Sequence, residues 1–235
     1  MSRDIVKLYK DPTNNELAKE FAGMAERGGD RTVFADRKKA MELLRPETTA
    51  LAVIDMQIGW CSYARDIKAM ADRLARFVGA ARDYGVKIVW LRNDEEFGSR
   101  SPLFDYYRVE PRQGETEIME REAFGNRKLE SFLRRSGTKT LLSTGVYTSA
   151  CVASLAKEAP LHGVDSVIVS DLVADIDVPG ATEGLYGAYL ITYPMPSHNI
   201  IRAWARNLAV QQSAMGTGTR DPAYLYVLEN VMLSK

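Results

Sequence analysis

The sequence contains few of the residues that disulfide frameworks and metal sites require. Its 235 residues include two cysteines, Cys61 and Cys151, and two histidines, His162 and His198. Two cysteines are too few for a disulfide framework, and their separation does not match the spacing of metal ligands. We therefore expect a reduced, cytoplasmic protein that uses no metal and no other cofactor.

The sequence also lacks net charge and long apolar runs. Its 31 acidic residues balance its 31 basic residues, which argues against a nucleic-acid or anionic-membrane partner because both attract clustered positive charge. No apolar run reaches the roughly 18 residues of a membrane span, and the first residues lack the apolar core of a signal peptide. We expect neither a membrane nor a nucleic acid among its partners.

Short apolar segments alternate with amphipathic ones from Thr48 onward. Four apolar segments predict strands, at residues 49–56, 86–92, 138–145 and 164–171. Helical patterns follow them, at residues 65–85, 127–137, 148–163 and 199–212. Residues 93–117 are interpreted as a loop. The alternation predicts an α/β fold with a doubly wound, Rossmann-like parallel sheet flanked by helices.

Chemically active side chains occur at the predicted carboxyl ends of these strands. In a doubly wound sheet, the carboxyl ends of the strands form the edge where ligands bind. The four ends here are Asp55, Arg92, the turn at residues 145–151 and Asp171. The edge therefore combines two acids, one cation and a turn that carries a cysteine.

Cys151 and Asp55 have the chemistry of a nucleophile and its general base. Cys151 lies just inside a predicted helix, where Thr148 or Ser149 is a candidate cap and the amide dipoles favour a thiolate. Asp55 ends an apolar strand, and a poorly solvated carboxylate there can take and return the thiol proton. A structural interpretation remains open, because such a cysteine is often a core residue and such an aspartate a turn residue.

Two motifs resemble those of the isochorismatase-like cysteine hydrolases. The segment ALAVIDMQ at residues 50–57 resembles an apolar strand ending in Asp-x-Gln. Residues 141–175 resemble a strand, the pattern Gly-x-x-Thr-x-x-Cys-Val, a helix and a second strand ending in Asp. The likeness covers residues 48–210 and implies a six-stranded parallel sheet. It also implies an Asp–Lys–Cys triad that hydrolyses amides, ureides or vinyl ethers, with Asp55 as the acid and Cys151 as the nucleophile.

The same resemblance implies a particular backbone arrangement before the nucleophile. Family members hold a cis peptide bond four residues before the cysteine, which corresponds here to Val146 and Tyr147. Its implied purpose is to direct the N–H of Tyr147, together with that of Cys151, at the substrate oxyanion.

The lysine of the implied triad is where this sequence departs from the family. The family usually has a lysine about six residues before an Ala-Phe pair, but no lysine lies between Lys87 and Lys128. Arg121 precedes Phe124 in a segment that looks shortened and is a candidate replacement. An arginine supplies charge and an oriented donor but stays protonated. The other interpretations are that the cation is absent and that Arg121 is a solvated loop residue.

Candidate residues for a substrate pocket lie in the loops beyond the first two strands. They are Gln57, Trp60, Arg92 and Tyr107, with further aromatic side chains at Tyr63, Phe104 and Tyr106. Aromatic residues in these numbers also occur as core or subunit contacts. The Asp-x-His metal motif of nicotinamidase members is missing after Arg92, so nicotinamidase is disfavoured.

We expect three regions and one main activity. We expect a helical extension at residues 1–47 and the hydrolase domain at residues 48–212. We expect residues 213–235 to form an apolar tail that contacts another subunit of a dimer or tetramer. The favoured function is hydrolysis of a small amide-, ureide- or isochorismate-like molecule through a covalent cysteine intermediate. The alternatives are a non-catalytic relative without the lysine, and a redox sensor that uses Cys151 and Cys61.

Overall fold

The computed structural model describes residues 43–93, 100–119, 127–176 and 193–214, and in the last range the side chains of 195–208. In this part of the chain, six parallel strands form one sheet in the order β3-β2-β1-β4-β5-β6. The strands are β1 Thr49–Ile54, β2 Lys87–Arg92, β3 Thr116–Met119, β4 Thr140–Val146, β5 Asp165–Ala174 and β6 Tyr193–Met195. The helices are α1 Ile58–Cys61, α2 Ile67–Asp83, α3 Lys128–Arg135, α4 Ala153–Glu158 and α5 Ser197–Ala214. The predicted doubly wound parallel sheet is confirmed.

The strand order reverses between β1 and β4. From β1 the chain moves outward through β2 to β3, and from β4 it moves outward in the other direction through β5 to β6. Neighbouring loops diverge at such a reversal and leave a crevice above the carboxyl ends of the two central strands. The ends of β1 and β4 are therefore where this fold favours a site.

A hydrophobic cluster covers each face of the sheet. Leu51 and Val53 of β1 belong to the cluster that contains α2 and α5, whereas Ala50, Ala52 and Ile54 belong to the cluster that contains α3 and α4. Every residue of β1 is buried, as expected for a central parallel strand with helices on both sides. The sheet thus forms a rigid base for the loops at its carboxyl edge.

Helix α2 buries the apolar stripe that the sequence predicts. The stripe consists of Met70, Leu74, Phe77, Val78 and Ala81, all buried, and begins at the half-buried Ile67. The helix ends before Gly85, whose φ of +71° terminates it in the left-handed region. On the same face, the ring of Phe77 packs 5.2 Å from that of Trp204 of α5.

Three features of the sheet differ from the sequence-based expectations. The interpretation of residues 93–117 as a loop was wrong at its end, because β3 begins at Thr116. The four strands predicted from the apolar pattern also omitted β6. The interpretation of Asp171 as a strand end was wrong too, because β5 continues to Ala174. Asp171 instead accepts hydrogen bonds from the N–H (2.7 Å) and hydroxyl (2.6 Å) of Ser197, where α5 begins.

The predicted terminal regions lie largely outside the described residues. Only residues 43–47 of the extension at 1–47, and residues 213–214 of the tail at 213–235, are described. Leu44 is buried in the core, and the carbonyl of Leu43 accepts a 2.6 Å hydrogen bond from the hydroxyl of Thr140. The chain just before β1 thus packs against the domain. Within the described ranges, no helix combines the length and apolar character needed to cross a bilayer.

Candidate active site

The ends of β1 and β4 bring two predicted site segments together. Ile54 of β1 pairs with Gly145 of β4, so Asp55, which follows β1, comes next to Val146, the last residue of β4. The peptide bond between Val146 and Tyr147 is cis, at the position that the resemblance implies. The chain then enters the turn that carries Cys151.

Asp55 is a buried carboxylate next to the last residue of the central strand. The residue is 2% exposed, and its N–H donates a 2.9 Å hydrogen bond to the carbonyl of Leu91 in β2. Its φ of +50° lies in the left-handed region, which aspartate adopts more readily than most residues. Burial, and to a smaller extent the charge of Asp55, raises the pKa of the Cys61 thiol. Asp55 therefore supplies a buried carboxylate at the carboxyl end of β1.

Cys151 lies in a turn of π-helix that joins β4 to α4. The turn spans Thr148–Val152, and the carbonyl of Tyr147 accepts hydrogen bonds from the N–H groups of Ala150 (3.1 Å) and Val152 (3.2 Å). Cys151 is half-buried and packs against the cluster on the α3 and α4 side of the sheet. Short π-helical segments are frequent at functional sites, and half-burial leaves this thiol partly accessible.

The expectation that Thr148 or Ser149 caps this helix was wrong, because both hydroxyls donate hydrogen bonds to the end of β5. The Thr148 hydroxyl donates to the carbonyl of Ala174 at 3.2 Å. The Ser149 hydroxyl donates to the carboxylate of Asp175 at 2.9 Å, and the Ser149 N–H donates to the same carboxylate at 2.8 Å. The carboxylate that accepts the Ser149 N–H therefore comes from the residue that follows β5.

Tyr147 and Trp60 support the turn from inside the protein. The Tyr147 hydroxyl donates a 2.7 Å hydrogen bond to the carbonyl of Trp60, and the two rings meet edge to face with centroids 6.1 Å apart. Both residues are buried, at 4% and 7% exposure. Trp60, a candidate pocket residue, thus forms part of the core beneath the cysteine turn.

Gln57, another candidate pocket residue, connects the ends of β1 and β2. Its side chain is fully buried. Its amide nitrogen donates to the carbonyl of Asn93 at 3.0 Å, and its amide oxygen accepts from the N–H of Asn93 at 2.9 Å. A second, longer contact of 3.4 Å reaches the carbonyl of Phe104. The polar atoms of Gln57 therefore hold backbone segments in place.

Arg92 lies at the edge as predicted, and neighbouring residues surround its guanidinium. It forms a 3.1 Å ion pair with Glu117 of β3 and donates to the carbonyl of Phe104. Its guanidinium carbon also lies 3.8 Å from the ring centroid of Phe104 and 4.4 Å from that of Tyr106. Tyr106 donates a 2.8 Å hydrogen bond to Glu117; burial and then this hydrogen bond raise the pKa of its phenol. Arg92 thus anchors the loop that crosses the edge.

The remaining candidates divide into a loop residue, a core thiol and an undescribed residue. Tyr107 is half-buried and its N–H donates a 2.8 Å hydrogen bond to the carbonyl of Met56. Cys61 is 1% exposed, and burial followed by the charge of Asp55 raises the pKa of its thiol to about 12. Such a thiol is protonated near neutral pH, which disfavours a redox partnership with Cys151. Arg121 lies outside the described residues.

Residue-by-residue interpretation of the sequence missed Asp175 and Glu117. Asp175 follows the true end of β5, and the misplaced strand end at Asp171 concealed it. Glu117 lies in β3, which the apolar pattern does not predict. The signal for Asp175 was its place directly after Val173 and Ala174, apolar residues that extend the strand.

The sheet reversal, the buried acid after β1 and the cysteine turn after β4 define an α/β protein of the doubly wound class, with a candidate Asp–Cys site. Residues 49–190 match the family described as "Isochorismatase domain", and the chain belongs to this family. It is a hydrolase of the isochorismatase family.

Three similar proteins illustrate the relationship. A ureidoacrylate amidohydrolase RutB from Methylorubrum extorquens is 26% identical over 184 residues, covering 59% of this chain and 74% of that protein. Streptothricin hydrolase from Streptomyces noursei is 31% identical over 149 residues, covering 59% of this chain and 58% of that protein. The crystal structure of a cysteine hydrolase from Pseudomonas syringae pv. phaseolicola 1448A superimposes with a TM-score of 0.62 at 18% identity, covering 69% of this chain and 95% of that one. This last comparison shows the shared fold.

Proposed function

We propose that this protein hydrolyses a C–N bond in a small amide or ureide, with Cys151 as the nucleophile and Asp55 as the general base. The observation that carries the proposal is the pairing of Ile54 with Gly145. This pairing brings the buried carboxylate after β1 next to the turn that leads to the half-buried cysteine. The relatives support the C–N bond, because RutB is named a ureidoacrylate amidohydrolase and a 26% identical protein from Pseudomonas putida is named a maleamate amidohydrolase.

The proposed reaction begins with proton transfer from the thiol of Cys151 to the carboxylate of Asp55. The thiolate attacks the carbonyl carbon of the substrate, and the N–H groups of Tyr147 and Cys151 stabilise the resulting oxyanion. The C–N bond breaks as Asp55 returns the proton to the leaving nitrogen, which leaves a thioester on Cys151. Water then attacks the thioester, its proton passes through Asp55, and the carboxylic product departs as the thiol is restored.

The environment of Asp55 suits this cycle. A carboxylate that is 2% exposed has little water to stabilise its charge, and this favours uptake of a proton. The fixed backbone around it, held by the Asp55 N–H on Leu91, keeps the carboxylate in one place through both half-reactions. Arg92 is committed to Glu117 and Phe104, so we assign it no proton transfer. Arg121 remains the candidate for the charge that lysine supplies in the family.

The proposal is tested by activity and by trapping the intermediate. Purified protein is incubated with a panel of small amides, ureides and vinyl ethers, and product release is followed by chromatography and an ammonia assay. Cys151→Ala is expected to lose at least roughly a thousandfold in rate, while the matched variant Cys61→Ala keeps most activity because Cys61 is a core thiol. Quenched mixtures analysed by mass spectrometry should carry the acyl group on the peptide containing Cys151.

Three results would contradict the proposal. Undiminished hydrolysis by Cys151→Ala would exclude the cysteine mechanism. Rapid alkylation of Cys151 without turnover of any compound in the panel would favour a non-catalytic relative. Turnover limited to vinyl ethers would instead indicate an isochorismate-like substrate. Arg121→Ala and Arg121→Lys separate a required charge from a solvated loop residue. If the charge is required, Arg121→Ala loses activity and Arg121→Lys keeps it; if Arg121 is a solvated loop residue, both variants keep it.

A further inference from the structure

Asp175 joins the end of β5 to the turn that carries Cys151. One of its carboxylate oxygens accepts the N–H of Ser149 at 2.8 Å. The other accepts the hydroxyl of Ser149 at 2.9 Å and the N–H of Ile176 at 2.9 Å. Three donors from two chain segments thus converge on one carboxylate, and Ser149 lies two residues before the nucleophile.

Backbone contacts fix Asp175 itself. Its carbonyl accepts a 3.0 Å hydrogen bond from the N–H of Arg65, and Ile176 forms an antiparallel bridge with Ala64. The residue therefore connects the loop after α1, the end of β5 and the cysteine turn. Because its position is fixed on two sides, its carboxylate is able to set the position of Ser149.

The surroundings of the carboxylate are those of a half-buried hydrogen-bond acceptor. Burial raises the pKa of Asp175, and the hydrogen bonds from Ser149 and Ile176 act in the opposite direction. Ser149 lies near the start of the π-helical turn, and the next residue but one is Cys151. An amide at this position would keep one acceptor oxygen and replace the other by a donor, so the N–H and the hydroxyl of Ser149 could no longer both be satisfied where the turn starts.

We propose that Asp175 is a positioning residue for the reaction of Cys151: its carboxylate holds Ser149 so that the sulfur two residues later faces Asp55. This inference rests on the proposed function. Asp175 touches neither the substrate nor the reacting atoms in this scheme and acts only through the turn.

The same strand provides a matched control. Asp171 accepts the N–H and the hydroxyl of Ser197 at 2.7 and 2.6 Å, which reproduces the pattern that Asp175 makes with Ser149. Ser197 begins α5, which carries none of the proposed machinery. Asp171→Asn therefore disturbs a pair of hydrogen bonds of the same geometry at a helix with no part in the proposed chemistry.

The test compares iodoacetamide labelling of Cys151 in wild type, Asp175→Asn, Ser149→Ala and Asp171→Asn, across the pH range in which thiols ionise. Labelling is quantified on the Cys151 peptide by mass spectrometry, and urea unfolding confirms that each variant is folded. We expect Asp175→Asn to label roughly tenfold more slowly, Ser149→Ala to slow in the same direction, and Asp171→Asn to match wild type. With a hydrolysed substrate, Asp175→Asn should lower kcat and leave KM nearly unchanged.

The sign of the change separates the proposal from its alternatives. If Asp175 acted only as a nearby negative charge, its removal would favour the thiolate and make labelling faster. If it served only global stability, Asp171→Asn and Asp175→Asn would behave alike. Either result overturns the inference. Labelling needs no substrate, so an absence of hydrolysis in the panel would overturn the proposed function and leave this test informative.

Discussion

Gly145 of β4 lies so close to Ile54 of β1 that a Cβ atom at position 145 would stand 2.0 Å from the Ile54 carbonyl oxygen. Its φ of +106° is also one that other residues rarely adopt. The close approach occurs one residue before Asp55 and one before the cis bond at Val146. A single glycine thus sets the distance between the acid and the segment that leads to the nucleophile.

Gly145→Ala is expected to destabilise the fold by roughly 3 kcal/mol or more, because the new methyl group meets backbone that cannot turn away. Gly163→Ala is the matched control, since Gly163 also has a positive φ, +75°, but a Cβ added there would have no neighbour within 4 Å. That variant should lose only about 1 kcal/mol from backbone strain. Urea unfolding measures both, and equal losses would show that the contact with Ile54 is unimportant.

The two cysteines are expected to differ sharply in reactivity. Cys151 is half-buried at the edge, whereas Cys61 is 1% exposed with a pKa raised to about 12. Brief treatment of native protein with iodoacetamide should therefore modify the Cys151 peptide and leave Cys61 unmodified. Cys61 should react only after denaturation. Comparable labelling of both thiols in the native protein would contradict the assigned environments.

The central strands and the Asp–Cys pair are predictable from the sequence, whereas the supporting contacts are not. β1 is buried along its whole length, so it appears as an unbroken apolar run. In β3, Ile118 is the buried residue of four, and an edge strand with so little apolar surface leaves no clear pattern. β5 changes from continuous burial to partial burial at Ser170 and Asp171. The apolar run is therefore interrupted inside the strand, and the interruption resembles a strand end.

Contacts between distant positions explain the other omissions. The Tyr147 hydroxyl bonds to the Trp60 carbonyl across 87 positions of sequence, and Ser149 bonds to Asp175 across 26. Nothing in a local pattern specifies either partner. Residue type alone suggests a pocket role for Trp60 and Gln57, and it does not reveal the hydrogen bonds by which they also hold the edge together.

Asp55→Asn is expected to lower kcat by roughly 10²–10⁴-fold, because an amide cannot accept the thiol proton. The same change removes a charge that raises the pKa of Cys61, so that pKa should fall below about 12 while burial keeps it above the ordinary value. Rate measurements on Asp55→Asn check the first effect. Titration of the Cys61 thiol in the Cys151→Ala background, with and without Asp55→Asn, checks the second. Unchanged kcat in Asp55→Asn would exclude Asp55 as the base.

Arg92→Lys is expected to destabilise the protein by roughly 1–3 kcal/mol despite conserving charge. The guanidinium contacts Glu117, the carbonyl of Phe104 and two aromatic rings at once. A lysine ammonium is not planar, so it cannot stack on the rings and make both polar contacts at the same time. Glu117→Gln is the control, since the Glu117 side chain is 39% exposed and its loss should cost less than about 1 kcal/mol. Urea unfolding that finds Arg92→Lys as stable as wild type would contradict the anchoring role.

Glu115 is expected to make the fold less stable in acid. Although burial opposes it, hydrogen bonds from Arg82, the N–H of Arg112 and the indole of Trp90 hold the pKa of Glu115 below its ordinary value of 4.5. Between the folded and unfolded pKa values the unfolded chain binds more protons, so the free energy of unfolding rises with pH. The contribution is complete above about pH 4.5 and is lost as the pH falls through the lower, folded value.

Glu115→Gln should therefore remove part of the acid sensitivity of the wild type. Near neutral pH the variant should be less stable by on the order of 1 kcal/mol, and the difference should shrink as the solution is acidified. The exposed Glu110, converted to Gln, is the control and should change the free energy of unfolding near neutral pH by less than about 0.5 kcal/mol. Urea unfolding between about pH 3 and pH 7 measures the free energy of unfolding of each variant. A difference between wild type and Glu115→Gln that grows on acidification would contradict a lowered pKa of Glu115 in the folded protein.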